Sequence, residues 1–263
     1  MTNVVGIQSN PIWEDKNSNF NQISSLLRKE NISPNSLIVF PETFSTGFSL
    51  NTAITAENEP LKTLGFLSEI ASTYGSWVMG GVVVKENKTF RNRLLCINPA
   101  GKMDGYYDKI HLIPDAEEHL SHTAGNQCII FTIGDLKVCP IICYDLRFPE
   151  LFRTGIAKGA NFFVVIACWP KVRSTHWEVL LQARAIENQS YLLGVNRTGN
   201  EPGREYHGQS MLVNPRGEIV RKLDNVPGIL NEKVSLEEII KWRNEFPVLN
   251  QRKAHLFSEF NRK

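Results

Sequence analysis

Short runs of apolar, mostly β-branched residues alternate along this chain with stretches in which apolar residues return every three or four positions. Such runs predict β-strands, and a run that is apolar at nearly every position predicts a strand covered on both faces. The predicted strands span residues 4–9, 37–40, 77–84, 94–97, 129–133, 136–142, 161–167, 191–195, 209–213 and 218–221. Strands that alternate with helices in this way indicate an α/β protein.

Three stretches between the predicted strands have the apolar spacing of one helix face. These faces consist of Phe20, Ile23 and Leu27 in the first helix, Leu67, Ile70, Ala71 and Tyr74 in the second, and Trp177, Leu180, Leu181 and Ala185 in the third. A capping box formed by Thr175 and Glu178 is predicted to start the third helix. Arg184 lies on the same stripe, three residues before Glu187, which predicts a structural ion pair beside the core.

Residues 1–235 are predicted to form one domain, because no internal repeat, low-complexity tract or long linker interrupts them. Residues 236–263 are interpreted as a C-terminal arm. This arm mixes charged residues with the aromatic residues Trp242, Phe246, Phe257 and Phe260. We expect it to pack on the domain or on a partner subunit.

The composition narrows the class of protein. Of the 263 residues 42% are hydrophobic, and the 29 basic and 27 acidic residues form no basic stripe or charged tail, which argues against a nucleic-acid-binding protein. No secretory leader precedes the apolar run at residues 4–7, and no stretch approaches the 18 or so apolar residues of a membrane helix. Five cysteines, an odd number, predict reduced thiols rather than disulfides. We therefore expect a soluble, cytoplasmic protein.

Cys143 is the first candidate for chemistry. It ends an apolar strand, and the polar sequel leads to Pro149, a residue that suits the first turn of a helix. At such a strand-to-helix turn a thiol can project from the sheet edge while the following N–H groups remain free to bind an oxyanion. A buried structural cysteine is the alternative, favoured for Cys96, Cys128 and Cys139. Cys168 also ends a strand and is the rival nucleophile.

Glu42 lies just past another apolar strand, among Phe40, Phe44 and Phe48. Partial desolvation in such surroundings raises the pKa of a carboxyl group, which suits a general base near neutral pH. On pattern alone a carboxylate that caps a loop is the favoured alternative.

Lys109 is surrounded by apolar and aromatic residues, which is unusual for an exposed loop. In a nucleophilic site its ammonium would hold a developing oxyanion and lower the pKa of the thiol. The alternative is a lysine whose head group reaches solvent. Because strand ends of an α/β protein line one crevice, Glu42, Lys109 and Cys143 are able to converge there.

A metal site is the competing chemistry. The histidines and acids that cluster in the sequence are His111, His119, His122, Asp115, Glu117 and Glu118. They lack the spacing of an HExxH or Cys/His site, and no nucleotide-binding glycine loop occurs. We therefore expect neither a metal nor a cofactor.

Three segments together resemble the nitrilase superfamily of carbon-nitrogen hydrolases. They are Phe-Pro-Glu at 40–42, Tyr-Asp-Lys-Ile-His-Leu at 107–112 and Cys-Tyr-Asp-Leu-Arg-Phe-Pro at 143–149. The resemblance covers residue 4 to about 235. It implies a four-layer α-β-β-α sandwich that pairs into a homodimer.

Later segments are similar to the ω-amidase branch, whose members hydrolyse the side-chain amide of 2-oxoglutaramate. These segments include Trp-Pro at 169–170, His-Trp-Glu at 176–178 and Val-Asn-Arg-Thr-Gly at 195–199. The Cys-Tyr-Asp context differs from the Cys-Trp-Glu of true nitrilases and argues against a nitrile substrate. A deaminated-glutathione amidase is the close alternative, and a catalytically silent binding protein on the same fold is the alternative from another class.

The resemblance also implies roles for the candidate residues. Cys143 would attack the amide, Lys109 and the backbone N–H of Tyr144 would hold the oxyanion, and Glu42 would transfer protons. A second glutamate follows the lysine motif in this family. Glu118, which precedes a histidine, matches that position better than its neighbour at 117.

Substrates of this branch carry a carboxylate beside a keto group, so the pocket needs a cation. Arg147 or Arg173 is the candidate, unless each serves a structural ion pair. Phe44, Phe148 and Trp169 are candidates for apolar walls, with plain core packing as the alternative.

Overall fold

Two six-stranded β-sheets form the centre of the molecule in a computed structural model, which describes residues 1–253. The strands are β1 (Thr2–Gln8), β2 (Leu37–Val39), β3 (Trp77–Glu86), β4 (Thr89–Ile97), β5 (Met103–Asp108), β6 (Phe131–Ile133), β7 (Leu136–Ile142), β8 (Phe162–Ala167), β9 (Tyr191–Asn196), β10 (Thr198–Glu201), β11 (Arg204–His207), β12 (Met211–Val213), β13 (Ile219–Lys222) and β14 (Gly228–Val234). The first sheet has the order β14-β1-β2-β3-β4-β5 and the second β13-β12-β9-β8-β7-β6. Strands β10 and β11 form a separate hairpin.

Helices cover the outer faces of both sheets. The helices of the described residues are α1 (Lys16–Leu27), α2 (Thr52–Thr55), α3 (Lys62–Tyr74), α4 (Glu118–Ser121), α5 (Pro149–Ala157), α6 (Ser174–Asn188) and α7 (Leu236–Glu245). The apolar faces of α1 and α3 pack in one core with the outward side chains of the first sheet. Side chains from α5 and α6 pack on the second sheet. The predicted four-layer α-β-β-α sandwich is thereby confirmed.

The two sheets face each other across a core of aliphatic side chains. They pack tightly at Gly6 on β1, where an added Cβ would lie 3.1 Å from the Val195 side chain on β9. Strands β1, β2 and β3 run parallel in one sheet, and β7, β8 and β9 run parallel in the other. The carboxyl ends of β2, β7 and β8 therefore deliver Glu42, Cys143 and Cys168 to neighbouring positions at the edge of the sandwich.

All ten predicted strand segments overlap observed strands, whereas β5, β10, β11 and β14 were missed. The reason is polarity: β14 reads Gly-Ile-Leu-Asn-Glu-Lys-Val and lies at an edge of its sheet, where polar side chains are tolerated. The predicted capping box is wrong. Helix α6 begins at Ser174, directly after a 3₁₀ turn over Lys171–Arg173, so the chain is already turned when it reaches Thr175.

The first part of the C-terminal arm packs on the domain. The guanidinium of Arg243 in α7 donates to the backbone carbonyls of Gln189 (3.1 Å) and Ala160 (3.3 Å) and to Ser190 Oγ (2.8 Å). The two later aromatic residues, at 257 and 260, lie outside the described residues, and the domain boundary at residue 235 stays a prediction. None of the helices in residues 1–253 has the length and apolar content to cross a bilayer.

Candidate active site

The Glu42 carboxylate lies directly after β2 and is fully buried. Its Oε1 accepts hydrogen bonds from Lys109 Nζ at 2.9 Å and Asn92 Nδ2 at 2.8 Å, and its Oε2 accepts one from the backbone N–H of Cys168 at 2.8 Å. The side chain therefore does not cap its own loop. One cation and two N–H donors therefore hold this buried carboxylate in place.

The ammonium of Lys109 is also fully buried, so this lysine does not reach solvent. It lies 2.9 Å from Glu42 Oε1 and 3.0 Å from Glu118 Oε2. Burial alone would lower the pKa of Lys109, but the two carboxylates outweigh it and raise that pKa well above its ordinary value. Lys109 is therefore a permanent cation between two acids.

Glu118 rather than Glu117 completes this cluster. Glu118, the first residue of α4, is fully buried, and its Oε2 also accepts a hydrogen bond from the Ile113 N–H at 2.9 Å. Burial would raise the pKa of Glu118, but Lys109 and Asn92 reverse the direction and hold it below its ordinary value. Glu117 is exposed and turns the chain with a φ of 56°.

Asn92, on β4, is a part of the site that the sequence analysis missed. Its Nδ2 donates to Glu42 Oε1 and, at 3.0 Å, to Glu118 Oε1, and so ties the two carboxylates together. A signal was present in the strand. Asn92 occupies the same face as Leu94 and Cys96, which lie in the core between the sheets, and a polar residue at a core position invites a specific explanation.

Cys143 follows β7 and begins a 3₁₀ turn over Cys143–Arg147. Its φ of 48° is in the left-handed region, which costs a residue with a side chain of order 1–3 kcal/mol and recurs at nucleophile turns. Asp145 holds the turn in place, since its carboxylate accepts from the His111 N–H at 2.8 Å and the Tyr107 hydroxyl at 2.7 Å. Tyr144 is the next residue of the turn, where backbone N–H groups lack intrahelical partners.

The Cys143 thiol differs from the sequence prediction in its ionisation. Burial, and then the negative charge of Glu42, raise the pKa of the thiol well above 9, although Lys109 acts in the opposite direction. The expected net lowering of this pKa is therefore wrong. The lysine charge is already neutralised by two carboxylates, so the resting side chain is a thiol and needs a base to ionise.

The rival cysteine lies beside the same cluster but has other partners. The Cys168 thiol donates to the backbone carbonyl of Glu42 at 3.1 Å and contacts the Thr43 hydroxyl at 3.5 Å. Its backbone N–H positions Glu42. These contacts indicate a structural role for Cys168. Its sulfur is held against the backbone, and its φ does not lie in the left-handed region as that of Cys143 does.

A cavity of about 240 Å³ adjoins the cluster. Its lining residues are Phe48, Ile113, Asp115, Ala116, Cys168, Pro170, Val172, Arg173, Gly203 and Arg204. Two of the lining residues, Phe48 and Cys168, also lie against the cluster of Glu42 and Lys109. The ring of Phe48 has its centroid 5.3 Å from Lys109 Nζ, and Cys168 donates to Glu42.

The family model described as carbon-nitrogen hydrolase matches residues 4–244 of this chain, and these include Glu42, Lys109, Glu118 and Cys143. The chain belongs to the carbon-nitrogen hydrolase family. The resemblance to the nitrilase superfamily, which the three sequence motifs suggested, is confirmed.

Curated relatives align over nearly the whole hydrolase. A "Hydrolase in agr operon" of Staphylococcus aureus is 34% identical over 94% of this chain and 96% of its own length. Omega-amidase YafV of Escherichia coli K12 is 33% identical over 92% and 93% of the two chains. The 2-oxoglutaramate amidase of Bacillus subtilis is 33% identical over 84% and 86%.

A solved structure supports the same assignment. The fold matches XC1258 of Xanthomonas campestris, a CN-hydrolase superfamily protein with an arsenic adduct in its active site, at a TM-score of 0.90. The two chains are 28% identical, and the match covers 96% of this chain and 97% of the other.

The predicted substrate-contacting residues of this hydrolase divide into one that lines the cavity and others that lie outside its lining. Arg173 lines the cavity, and the half-buried Arg147 lies with its guanidinium carbon 4.7 Å from the centroid of the buried Trp169 ring. Phe148 stacks on His111 with ring centroids 3.6 Å apart.

Phe44 does not contribute a wall, and that prediction is wrong. Its ring packs against Phe20, Phe40 and Phe66 in the core under α1 and α3, on the opposite face of the first sheet. Phe48, four residues later in the same loop, occupies the cavity instead. Between them the loop turns, with the Thr46 and Gly47 N–H groups donating to the Thr43 carbonyl, and no periodicity in the sequence reports this turn.

The histidine cluster is dispersed in the structure. His111 Nδ1 lies 2.7 Å from Asp145, His122 Nδ1 lies 2.8 Å from Ser121, and His119 is exposed. Within residues 1–253 no group of three or more His, Cys, Asp or Glu side chains is arranged to hold a metal.

Proposed function

We propose that this hydrolase is an ω-amidase, which converts 2-oxoglutaramate and water to 2-oxoglutarate and ammonia. One observation carries the proposal: a buried ammonium between two carboxylates lies beside a thiol on a strained strand-end turn. The relatives named omega-amidase and 2-oxoglutaramate amidase support the choice of substrate. The partner of the enzyme is thus a small-molecule amide.

In the first half of the proposed reaction the Cys143 sulfur attacks the amide carbon. Glu42 takes the thiol proton during the attack, because the high pKa of the buried thiol leaves no thiolate beforehand. Lys109 and the Tyr144 N–H hold the oxyanion of the tetrahedral intermediate. The C–N bond then breaks, Glu42 delivers the proton to the nitrogen, and ammonia leaves a thioester on Cys143.

The second half hydrolyses the thioester. Glu42 takes a proton from water, the resulting hydroxide adds to the carbonyl carbon, and Lys109 again holds the oxyanion. The C–S bond breaks, the carboxylic acid leaves, and the proton held by Glu42 returns to the Cys143 sulfur. Glu118 and Asn92 position Lys109 and Glu42 through both halves, since each contacts the groups that act.

The size of the cavity supports a small amide over deaminated glutathione. Pockets that enclose drug-sized ligands measure about 300–1,000 Å³, and this cavity measures about 240 Å³. The cationic lining favours a substrate with a carboxylate. Arg173 contributes a cation to the lining, whereas Arg147 lies outside the lining, beside Trp169.

The proposal is tested by ammonia release from 2-oxoglutaramate, 2-oxosuccinamate, deaminated glutathione and a simple aliphatic amide. We expect Cys143→Ala and Cys143→Ser to abolish release while far-ultraviolet circular dichroism stays native. Cys168→Ala is the matched control and should retain most of the activity. Full activity of a folded Cys143→Ala protein would refute the nucleophile, and inactivity of the wild-type protein on every amide would favour the silent binding protein.

We further propose that the enzyme is a cytoplasmic homodimer. The exposed side chains of Val179 and Ile186 lie seven residues apart on one face of α6, and this apolar face is suited to an isologous interface. All five cysteines are free, which suits a reducing compartment. Light scattering of the purified protein and cell fractionation test the two statements separately.

A further inference from the structure

Arg204 is a cation that no step of the proposed reaction uses. It begins β11, is half-buried, and lines the cavity together with Arg173. The acidic residues closest to it in sequence are paired with other cations. Glu205 lies 2.8 Å from Lys171, and Glu201 pairs with Arg197.

Arg204 and Lys109 both lie close to the ring of Phe48. The guanidinium carbon of Arg204 lies 5.5 Å from the centroid of Phe48, and Lys109 Nζ lies 5.3 Å from the same centroid. The ammonium that would hold the amide oxygen and the guanidinium carbon of Arg204 therefore lie at most about 11 Å apart. The four C–C bonds between the amide carbon and the carboxylate carbon of 2-oxoglutaramate span roughly 5–6 Å.

The hairpin that carries Arg204 is anchored to the segment that carries Phe48. Arg197 is fully buried and pairs with Glu201, and Glu201 also accepts hydrogen bonds from the Tyr206 hydroxyl and, at 3.2 Å, from the Phe48 N–H. A binding group on such a support is held in place before the ligand arrives, which lowers the entropy lost on binding.

We propose that Arg204 is a specificity-determining residue, which together with Arg173 binds the carboxylate of a 2-oxo acid amide while the amide lies against Cys143. This inference rests on the proposed function and deepens it. Two guanidinium groups offer paired N–H donors to one carboxylate. Asp115 is the acidic residue of the lining, and it is exposed, so solvent screens its repulsion of the substrate.

A site of this kind discriminates strongly against neutral amides. A neutral substrate leaves both guanidinium groups without the anion that they would bind, and sites built for a polar group reject analogues that lack it. The neutral analogue closest in shape is 4-oxopentanamide, in which a methyl group replaces the carboxylate. We therefore expect 2-oxoglutaramate to be preferred over 4-oxopentanamide by at least 100-fold in kcat/KM.

The test compares Arg204→Met with the wild-type enzyme on both amides. Methionine keeps an unbranched apolar side chain at this position and removes the guanidinium. We expect KM for 2-oxoglutaramate to rise roughly 10- to 100-fold, the range for the loss of a charge-assisted hydrogen bond. The kcat/KM for 4-oxopentanamide should change less than about twofold, and Arg204→Lys should fall between the two enzymes. Lys171→Met, which removes one exposed positive charge nearby, is the matched control and should change neither substrate.

Two results would overturn the inference: an unchanged KM for 2-oxoglutaramate in Arg204→Met, or an equal loss on both amides. Calorimetric binding of the product 2-oxoglutarate to Cys143→Ala protein separates this failure from failure of the proposed function. Binding that depends on Arg204 without any amidase activity in the wild-type enzyme would refute the function and retain the carboxylate site. Hydrolysis of 2-oxoglutaramate that is unaffected by Arg204→Met would retain the proposed function and refute the carboxylate site. The absence of both hydrolysis and Arg204-dependent binding would refute the function and the site together.

Discussion

Replacement of Lys109 by methionine tests whether the buried cluster depends on its charge balance. The wild-type cluster holds one cation between two carboxylates, and the pairs Lys109–Glu42 and Lys109–Glu118 are fully removed from solvent at 2.9 and 3.0 Å. At an effective dielectric constant of about 20, each contact is worth roughly 5–6 kcal/mol of Coulomb attraction before desolvation is subtracted. Methionine has a similar length but leaves Glu42 and Glu118 without a cation.

The expected loss of stability is set by the proton that the variant must bind. At least one of the two carboxyl groups should fold in its protonated form, because two unpaired buried carboxylates are far more costly. Protonation of a glutamate with an unfolded pKa of about 4.3 costs about 1.4 kcal/mol for each pH unit above that value. The variant should therefore lose about 1.6 kcal/mol at pH 5.5 and about 4.4 kcal/mol at pH 7.5, in line with the usual cost of a broken buried pair.

The sign follows from linkage: a carboxyl group whose folded pKa is raised contributes stability at low pH and loses it as the pH rises. Urea unfolding of wild-type and variant protein at pH 5.5, 6.5 and 7.5, at one protein concentration, measures the difference in unfolding free energy. Lys171→Met, at an exposed pair with Glu205, is the control and should show no such slope. A difference for Lys109→Met that is small and independent of pH would refute the reasoning.

Three further predictions follow from neighbouring contacts. Glu42→Gln should abolish amidase activity yet shift the alkylation of Cys143 by iodoacetamide to lower pH. The reason is that the Glu42 charge is the second cause, after burial, of the raised pKa of the thiol, and an unchanged pH profile of alkylation would contradict this. Gly81→Ala should lower kcat, because its Cβ would lie 2.8 Å from Glu42 Cα, whereas Gly65→Ala on α3 meets nothing within 4 Å and should retain activity in the same ammonia assay. The unfolding free energy of the wild-type protein should decline as the pH falls below about 4.5. The pKa of Glu118 is lowered in the folded protein, so the stability that its carboxylate contributes is present above the unfolded pKa and is lost as the pH falls through the folded pKa. Acid titration of Glu118→Gln should show a smaller decline.

Much of the fold was predictable because strands that are buried on both faces consist almost entirely of apolar residues. The strands β7, β8 and β9 are covered on both sides, so nearly every residue in them is apolar, and each was found within one residue of its observed bounds. The edge strands β5 and β14 were not found, because one side of an edge strand meets solvent and its polar residues resemble a loop.

The candidate site was predictable only in part. The positions of Glu42 and Cys143 directly after buried strands placed both at one edge of the sheets. The apolar neighbours of Lys109 made that residue a third candidate, and the family resemblance joined the three. The family resemblance favoured Glu118 over Glu117, but the residue pattern alone gave no reason for that choice. The two residues are adjacent and chemically identical, and the φ of 56° at Glu117 decides which of them faces Lys109.

By itself, the pattern of the sequence determined an α/β fold and the residue types delivered to the strand ends, because hydrophobic periodicity and strand ends are local properties of the chain. The four layers of the sandwich were implied by the family resemblance. The tertiary structure alone decided which charges meet and what each one does to its neighbours. Asn92 joins two carboxylates that are 76 positions apart, and the thiol of Cys143 has a raised rather than a lowered pKa. Both results depend on distances between distant segments and on the exclusion of water, which no single segment records.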